Sequence, residues 1–235
     1  MRPSHVVTAV PAESARAFFG RRKGKKLRPG HEELLRDLLP SLRVPQSGGP
    51  IDLQALFPET ASVTIEIGFG GGEHLAADAR AHPDTGFIGC EPFANGMAKL
   101  LAVTQEENLS NVRVWDRDAT ELLPMLPGAS VGEVYLLYPD PWPKRRQRKR
   151  RFLSDKNLTA LARVMRPGAE LRFATDIDDY AGWALARVLR SPDFAWTAIR
   201  RDDWRRPWDG WQGTRYEAKA VREGRMPTYL TFRRA

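Results

Sequence analysis

The sequence is poor in the residues that stabilise small secreted proteins or bind structural metals. Its single cysteine, Cys90, excludes an internal disulfide in a chain of 235 residues and fits a reducing compartment. The four histidines are scattered and give no zinc-binding spacing with one cysteine. No stretch approaches the ~18 apolar residues of a membrane span, and the first twenty residues lack the apolar block of a signal peptide. We therefore expect a cytoplasmic protein without metal or membrane partners.

Positive charge is abundant but confined to two places. The chain has 37 Lys and Arg against 29 Asp and Glu, a formal net charge of +8. Residues 21–28 contain six cations and residues 144–151 contain seven, with no acid in either run. The remaining 24 cations are outnumbered by the 29 acids, so the rest of the chain has a net charge of −5. An acidic body with two basic patches indicates a polyanionic partner.

Short apolar runs alternate with helical stretches from residue 62 onward. We predict strands over 63–67, 86–90, 112–115, 134–138, 170–174, 194–199 and 228–232. Helices are predicted over 31–39, 73–81, 93–107, 155–165 and 178–189. This alternation indicates an α/β fold, a mostly parallel doubly wound sheet with helices on both faces. We assign residues 1–50 to an N-terminal arm and residues 51–235 to the main domain.

A glycine-rich segment follows the first predicted strand, at the edge where such sheets bind ligands. It comprises residues 68–72, and Glu66 stands just before it. A turn of this kind between strand and helix lets a ligand approach backbone amides closely. It is not a phosphate-binding P-loop, because no Gly-Lys-Ser/Thr follows. A purely structural turn and a nucleotide site both remain open on this evidence.

Carboxylates stand at the ends of the next two predicted strands. Glu91 lies nineteen residues after Gly72, close to the spacing at which an acid accepts hydrogen bonds from both hydroxyls of an adenosine ribose. Asp118 follows the third strand, where it could accept from an adenine amino group. It could equally cap the helix that begins at Ala119, and the two roles are compatible.

The fourth predicted strand ends in Tyr-Pro-Asp-Pro-Trp, residues 138–142. Prolines on both sides restrict the backbone at Asp140, so its carboxylate should be held in place. Trp142 offers a face on which a base could stack. We expect four acids, Glu66, Glu91, Asp118 and Asp140, to share one rim. Such a rim would repel a pyrophosphate and attract a sulfonium, which favours S-adenosylmethionine over NAD.

Six ordered blocks link these features to the rest of the chain. They are IEIGFGGG (65–72), GCEPF (89–93), RDA (117–119), PDPWPKRRQRKRRFL (139–153), ATDIDDY (174–180) and TRYEAK (214–219). In these blocks the sequence resembles the bacterial tRNA (guanine-N7)-methyltransferases. The resemblance implies a class I methyltransferase fold, with a seven-stranded sheet whose last strand is antiparallel. It also implies transfer of a methyl group from S-adenosyl-L-methionine to guanine N7 at position 46 of the tRNA variable loop, by a monomer or homodimer.

The resemblance assigns roles to individual residues. Cofactor binding is implied for Glu66, Gly68, Gly70, Glu91, Asp118 and Asp140, and Asp140 is also the implied catalytic residue. Contact with the guanosine is implied for Lys144, Asp176, Thr214, Arg215, Tyr216 and Glu217. Contact with the tRNA backbone is implied for Arg146, Arg148, Lys149, Arg150 and Arg151. No metal is implied.

Several alternatives remain open on the sequence alone. A methyltransferase acting on an exocyclic base amine would carry an Asp/Asn-Pro-Pro-aromatic turn, whereas Asp140-Pro141 is followed directly by Trp142. A non-catalytic RNA-binding protein of the same fold and a nicotinamide oxidoreductase are the other two classes. Residues 21–28 are either a second RNA clamp or a solubilising arm. The tryptophans at 204, 208 and 211 form either a lid over the base or packing against the sheet.

Overall fold

The computed structural model describes residues 20, 22, 24–46 and 49–235. Seven strands in this part of the chain form one sheet in the order β3-β2-β1-β4-β5-β7-β6. The strands are β1 (Ser62–Ile67), β2 (Thr85–Cys90), β3 (Val112–Trp115), β4 (Val131–Leu137), β5 (Met165–Thr175), β6 (Phe194–Trp196) and β7 (Thr228–Arg234). β1 to β5 pair in parallel, whereas β7 runs antiparallel to both β5 and β6. The predicted seven-stranded sheet with an antiparallel last strand is confirmed.

Helices connect most of these strands. They are α1 (Pro29–Asp37), α2 (Leu39–Leu42), α3 (Leu53–Leu56), α4 (Glu73–Ala81), α5 (Ala94–Glu106), α6 (Ala119–Leu122), α7 (Asp155–Val164), α8 (Asp178–Val188), α9 (Asp202–Arg205) and α10 (Arg215–Arg222). Two 3-10 helices cover Leu123–Met125 and Arg145–Arg150. Within the described residues, no helix has the length and apolar character needed to cross a membrane, and no cluster of histidine, cysteine or acidic side chains could hold a metal ion.

Both faces of the sheet are covered because successive strand residues point in opposite directions. On β2, Phe87 joins the cluster formed with α4 and α5, whereas Ile88 joins the larger cluster formed with α7 and α8. Ile65, Val134 and Leu171 are wholly buried in that larger cluster, on the three central strands β1, β4 and β5. The doubly wound arrangement therefore places apolar clusters on both faces of the sheet.

The largest error in the predicted boundaries falls between α7 and β5. The helix predicted over 155–165 ends at Val164, and β5 begins at Met165 instead of at residue 170. Val131 pairs with Met165 and Glu133 pairs with Glu170, so the β5 segment between these pairs bulges out of register. This bulge accommodates Pro167, which has no N–H for the ladder.

Helices α1 and α2, which lie in the region assigned to the N-terminal arm, pack on the sheet domain. Leu39 of α2 joins the cluster that contains α4 and α5. Val44 is fully buried, and its N–H donates to the carbonyl oxygen of Val114 on β3 over 2.9 Å. The Arg43 guanidinium pairs with Asp116 at 2.7 Å.

The glycine turn, residues 68–72, packs directly against the start of α5. Gly70 has a φ of +62°, in the left-handed region that favours glycine. A Cβ added to Gly96 of α5 would lie 1.9 Å from the carbonyl oxygen of Gly70. The turn and the helix therefore meet backbone to backbone, and a side chain at Gly96 would push them apart.

We expect Gly96→Ala to lower the free energy of unfolding by about 1–3 kcal/mol, the usual cost of overpacking. Chemical denaturation followed by circular dichroism measures the change. Gly182→Ala on α8 is the matched control, since that glycine is exposed and a Cβ there meets nothing within 4 Å. It should instead stabilise the protein by about 0.5–1 kcal/mol through helix propensity. Equal effects at the two sites would contradict the backbone contact.

Candidate active site

A cavity of about 540 Å³ opens at the carboxyl ends of the central strands. Its walls include Gly68, Gly70, Glu91, Asp118, Asp140 and Tyr216. The strand order reverses at β1, whose two neighbours in the sheet are β2 and β4. The cavity lies at this point, where doubly wound sheets bind ligands. Its volume is typical of sites for cofactors and other small molecules.

Glu91 connects two loops of the cavity wall, the one after β1 and the one after β2. One carboxylate oxygen accepts a hydrogen bond from the Gly70 N–H over 2.8 Å, and the other accepts from the Phe93 N–H over 3.0 Å. Burial raises the pKa of Glu91 even though both amide bonds oppose the shift, and the charge of Asp140 adds to it. A carboxylate has about four lone-pair positions, so roughly two remain for ligand hydroxyls.

Asp118 caps α6, which confirms one of the two roles expected for it. Its Oδ1 accepts hydrogen bonds from both the backbone N–H and the hydroxyl of Thr120, each over 2.9 Å. The Trp115 indole N–H donates to the Asp118 carbonyl oxygen over 3.0 Å, which fixes the loop after β3. The carboxylate is thereby held at the cavity wall, and recognition of a base amino group stays a prediction.

The proline turn, residues 138–142, is strained at both ends. Tyr138 and Trp142 have φ values of +48° and +43°, a region that few residues other than glycine adopt. Strain of this kind persists only where the surroundings impose it, and it is common at functional sites. Between these two residues Asp140 stands exposed on the cavity wall. The Arg150 guanidinium lies 4.8 Å from the centre of the Trp142 ring and covers one of its faces.

Helix α10, which the sequence reasoning missed, brings the block at 214–219 to the cavity. Tyr216 lines the cavity, and Arg215 lies 3.7 Å from Glu73 at the start of α4. Thr214 caps the helix by accepting from the Glu217 N–H over 3.1 Å. This Thr-x-x-Glu pattern is a helix-start signal that could have revealed the helix.

Two of the acids predicted to contact guanosine are engaged within the protein. Glu217 accepts hydrogen bonds from the Trp211 indole over 2.6 Å and from the Tyr229 hydroxyl over 2.8 Å. Asp176 accepts from Arg225 over 2.5 Å and is mostly buried. Neither carboxylate lines the cavity that contains Asp140.

The sequence left open whether the tryptophans at 204, 208 and 211 form a lid or pack against the sheet. In the structure they pack against residues of the sheet and against each other. The Trp208 indole donates to the Thr231 hydroxyl over 2.8 Å, and its ring contacts Tyr229. Trp211 contacts the same tyrosine, and Trp204 packs against Trp196.

Glu66 does not share the rim, so the expectation of four acids around one cavity is corrected to three. Its side chain is 4% exposed and accepts from His74 Nδ1 over 2.8 Å, with a second acid, Asp78, 3.4 Å from the other ring nitrogen. The reason is strand alternation: Ile65 and Ile67 join the core on one face, so Glu66 points to the other face, towards α4. Sequence reasoning missed His74 as its partner.

The second basic patch, residues 144–151, divides into exposed and buried cations. Lys144, Arg146 and Lys149 are exposed, whereas Arg148 pairs with Asp179 at 2.6 Å. The Arg151 side chain is 0% exposed. We therefore correct the prediction that Arg151 contacts the tRNA backbone, because its guanidinium is buried inside the protein.

The first basic patch lies beside the same cavity as far as the structure describes it. Arg21 and Lys23 fall outside the described residues. Asn95, at the start of α5, accepts from the Gly24 N–H and donates to the Lys25 carbonyl oxygen, both over 2.9 Å. Gly20 is part of the cavity wall. We call residues 22 and 24–28 the N-terminal basic segment.

Comparison with known proteins agrees with this geometry. A family model described as "Putative methyltransferase" matches residues 60–229. The tRNA (guanine-N(7)-)-methyltransferase of Bradyrhizobium diazoefficiens is 54% identical over 225 residues, which cover 95% of each chain. The enzyme of the same name from Agrobacterium fabrum is 53% identical, over 94% of this chain and 96% of its own. The chain belongs to the tRNA (guanine-N(7)-)-methyltransferase family.

Solved structures support the fold of this family member. The 16S rRNA methyltransferase KamB superimposes with a TM-score of 0.58 at 20% identity, over 78% of this chain and 92% of its own. The aminoglycoside resistance methyltransferase NpmB1 gives a TM-score of 0.54 at 18% identity, with the same coverage. Both likenesses show the class I methyltransferase fold.

The Glu66–His74 pair should make stability depend on pH. Burial lowers the pKa of His74, but the charge and the hydrogen bond of Glu66 outweigh it, so the pKa lies above its usual value near 6.5. Folding then favours the protonated ring, and this stabilisation is full below about pH 6.5 and is lost as the pH rises through the folded-state pKa. His74→Gln should remove that component, whose slope is at most about 1.4 kcal/mol per pH unit.

Denaturation at a series of pH values from 6 to 9 measures this effect. His82→Gln, at an exposed histidine just beyond α4, is the matched control and should keep the wild-type dependence. A His74→Gln curve parallel to that of the wild type would rule out the stabilising pair.

Proposed function

We propose that the protein transfers the methyl group of S-adenosyl-L-methionine to N7 of a guanine in tRNA, the variable-loop guanine at position 46. The observation that carries the proposal is the convergence of Glu91, Asp118 and Asp140 on one cavity, beside a glycine turn and between two basic surfaces. The relatives named above at 53–54% identity support it. With tRNA as the proposed substrate we expect a cytoplasmic protein, and a monomer or a homodimer remains the expected state.

The residues around the cavity fit this cofactor. When bound, S-adenosylmethionine supplies an electrophilic methyl group on a cationic sulfur. The lone-pair positions that Glu91 does not use internally match the two ribose hydroxyls. Asp118 is held where its carboxylate can accept from the adenine amino group. Gly68 and Gly70 let the ligand approach the backbone, and the acidic wall favours a cation.

The chemistry needs orientation more than proton transfer. Guanine N7 has an in-plane lone pair and no proton, so attack on a methyl group requires no general base. The purine becomes cationic as it reacts, and a fixed carboxylate stabilises the charge that develops. Asp140 is placed for this role because it lines the cavity in the proline turn, whereas Asp176 and Glu217 do not line it.

We assign the guanosine contacts from the positions of the side chains around the cavity. Tyr216 lines the cavity, and Lys144 follows the proline turn on the exposed side. Arg215 lies at the start of α10 beside Tyr216. Asp176, Thr214 and Glu217 would shape this side of the site through the contacts described above.

The RNA contacts are proposed on charge and exposure. Arg146 and Lys149 project from the 3-10 helix next to the proline turn, and Arg148 and Arg150 support the same surface. The N-terminal basic segment contacts the start of α5 beside the cavity, which favours a second clamp over a purely solubilising arm. Phosphates on both sides of the guanine would meet cations in this arrangement.

Transfer of labelled methyl from S-adenosylmethionine to unmodified tRNA transcripts tests the activity. Label should enter a transcript with guanine at position 46 and not one in which adenine replaces it. Mild reduction followed by aniline should then cleave the labelled chain at that position, which separates N7 methylation from methylation of an exocyclic amine. Equal label in both transcripts would refute the assigned target. Absence of label together with preferential binding of NAD would indicate an oxidoreductase.

Asp140→Asn should lower kcat about 100-fold, since it removes one preorganised charge from the reacting centre. The dissociation constant for S-adenosylmethionine should change much less, because Glu91 and Asp118 remain in place. Single-turnover kinetics and calorimetry measure the two effects. Full turnover with unchanged cofactor affinity would show that Asp140 is not catalytic.

A further inference from the structure

Arg151 stands apart from the other cations of the second basic patch. Its side chain is 0% exposed, in a run whose members Arg146 and Lys149 face solvent. We propose that Arg151 is a positioning residue, which anchors the proline turn to α8 so that Asp140 is held at the reacting centre. The proposal rests on the catalytic role proposed for Asp140 above.

The guanidinium of Arg151 joins the proline turn to α8. Its Nε donates to the carbonyl oxygen of Pro141, the residue next to Asp140, over 2.8 Å. Nη1 donates to the Asp179 carbonyl oxygen over 3.3 Å, and Nη2 forms an ion pair with the Asp179 carboxylate. All three guanidinium nitrogens are therefore used between the turn and the first turn of α8.

Aromatic rings complete the site around this cation. The guanidinium carbon lies 4.7 Å from the centre of the Tyr180 ring and 5.3 Å from that of Trp183. The Tyr180 hydroxyl accepts from the Phe152 N–H over 3.2 Å, which fixes the chain immediately after Arg151. A buried cation is tolerated only when it is paired and hydrogen-bonded, and this one is both. The hydrogen bond from Arg151 lowers the pKa of Asp179, so the carboxylate stays ionised as its partner.

The geometry requires arginine and not merely a positive charge. The planar fork of a guanidinium can reach a carbonyl and a carboxylate at once, whereas a lysine ammonium on a flexible stem is a point charge. A residue whose task was to bind phosphate could be replaced by lysine with little loss, since lysine is a competent phosphate ligand. Comparing the wild-type protein with Arg151→Lys therefore distinguishes an anchor, which needs arginine, from an RNA contact, which tolerates lysine.

The strain in the proline turn explains why an anchor matters. Tyr138 and Trp142 hold left-handed backbone conformations, which relax unless the surroundings impose them. On one side the Tyr138 N–H donates to the Ala174 carbonyl oxygen over 2.8 Å, which ties the turn to β5. On the other side Arg151 ties Pro141 to α8. A shift of about 1 Å in a reacting group can cost 100-fold in rate, so a loosened turn should affect turnover first.

Steady-state kinetics of Arg151→Lys on tRNA tests the proposal. We expect kcat to fall about 10- to 100-fold, while the salt dependence of tRNA binding and the affinity for S-adenosylmethionine stay at wild-type values. Arg187→Lys is the matched control and should keep the wild-type kcat. Its guanidinium packs 3.5 Å from the centre of the same Trp183 ring, but its ion-pair partner is Asp155 of α7, 3.8 Å away, and not the proline turn.

The double variant Arg146→Ala/Lys149→Ala shows what the loss of RNA contacts does to the kinetics, for comparison with Arg151→Lys. Loss of two phosphate contacts should flatten the slope of log K against log salt by about 1.5 and raise KM for tRNA. If Arg151→Lys reproduced this signature, or kept the wild-type kcat, the anchor would be refuted. If Arg151→Lys failed to fold, as thermal unfolding would show, Asp179→Asn replaces it. That change keeps the bond to Pro141 and should lower kcat less. Because Asp179 also pairs with Arg148, kcat alone is the readout for this variant, and a wild-type kcat would count against the anchor.

Asp140→Asn, measured in parallel, separates this proposal from the one on which it rests. Full turnover of Asp140→Asn would remove the catalytic role of that carboxylate, whatever Arg151→Lys does. Loss of turnover in Asp140→Asn, with wild-type kcat in Arg151→Lys, would remove only the anchor.

Discussion

The partly buried carboxylate of Glu91 is the constraint on which the geometry of the site depends. By accepting from the Gly70 and Phe93 amides, it joins the loop after β1 to the loop after β2. The glycine turn can then lie against α5 with no side chain between them, since Gly96 leaves room for the Gly70 carbonyl. These two loops and the proline turn together form the wall of the cavity.

Charge in this protein is sorted by burial. The acids that face the cavity suit a cationic cofactor, and the exposed cations on either side suit the phosphates of an RNA. The charges that lie inside are paired: Glu66 with His74, and Arg151 with Asp179. Buried charges need such partners, whereas exposed ones do not. The formal net charge of +8 therefore combines acids at the cavity, exposed cations beside it and paired charges in the interior.

The sequence was sufficient for the sheet and for most of the rim. Glu91, Asp118 and Asp140 follow consecutive parallel strands, and the ends of such strands meet at one edge, so their convergence could be predicted. Glu66 could not be placed in the same way, because it lies within β1, and the face to which it points depends on alternation along the strand. The burial of Arg151 depends on Tyr180 and Trp183, which no local pattern connects to the basic run.

The antiparallel strand β7 has a consequence for how the molecule assembles. Within the described residues β6 pairs with β7 alone, so it can join the sheet only after β7 has added to β5. The segment between them in the chain contains α10, which carries Tyr216 to the cavity. Pairing of β5 with β7 closes a loop of more than fifty residues, a slower event than the local pairing of β1 with β2. The part of the cavity wall that contains Glu91 and Asp118 can therefore form first, and the part that contains Tyr216 is completed when β7 docks on β5.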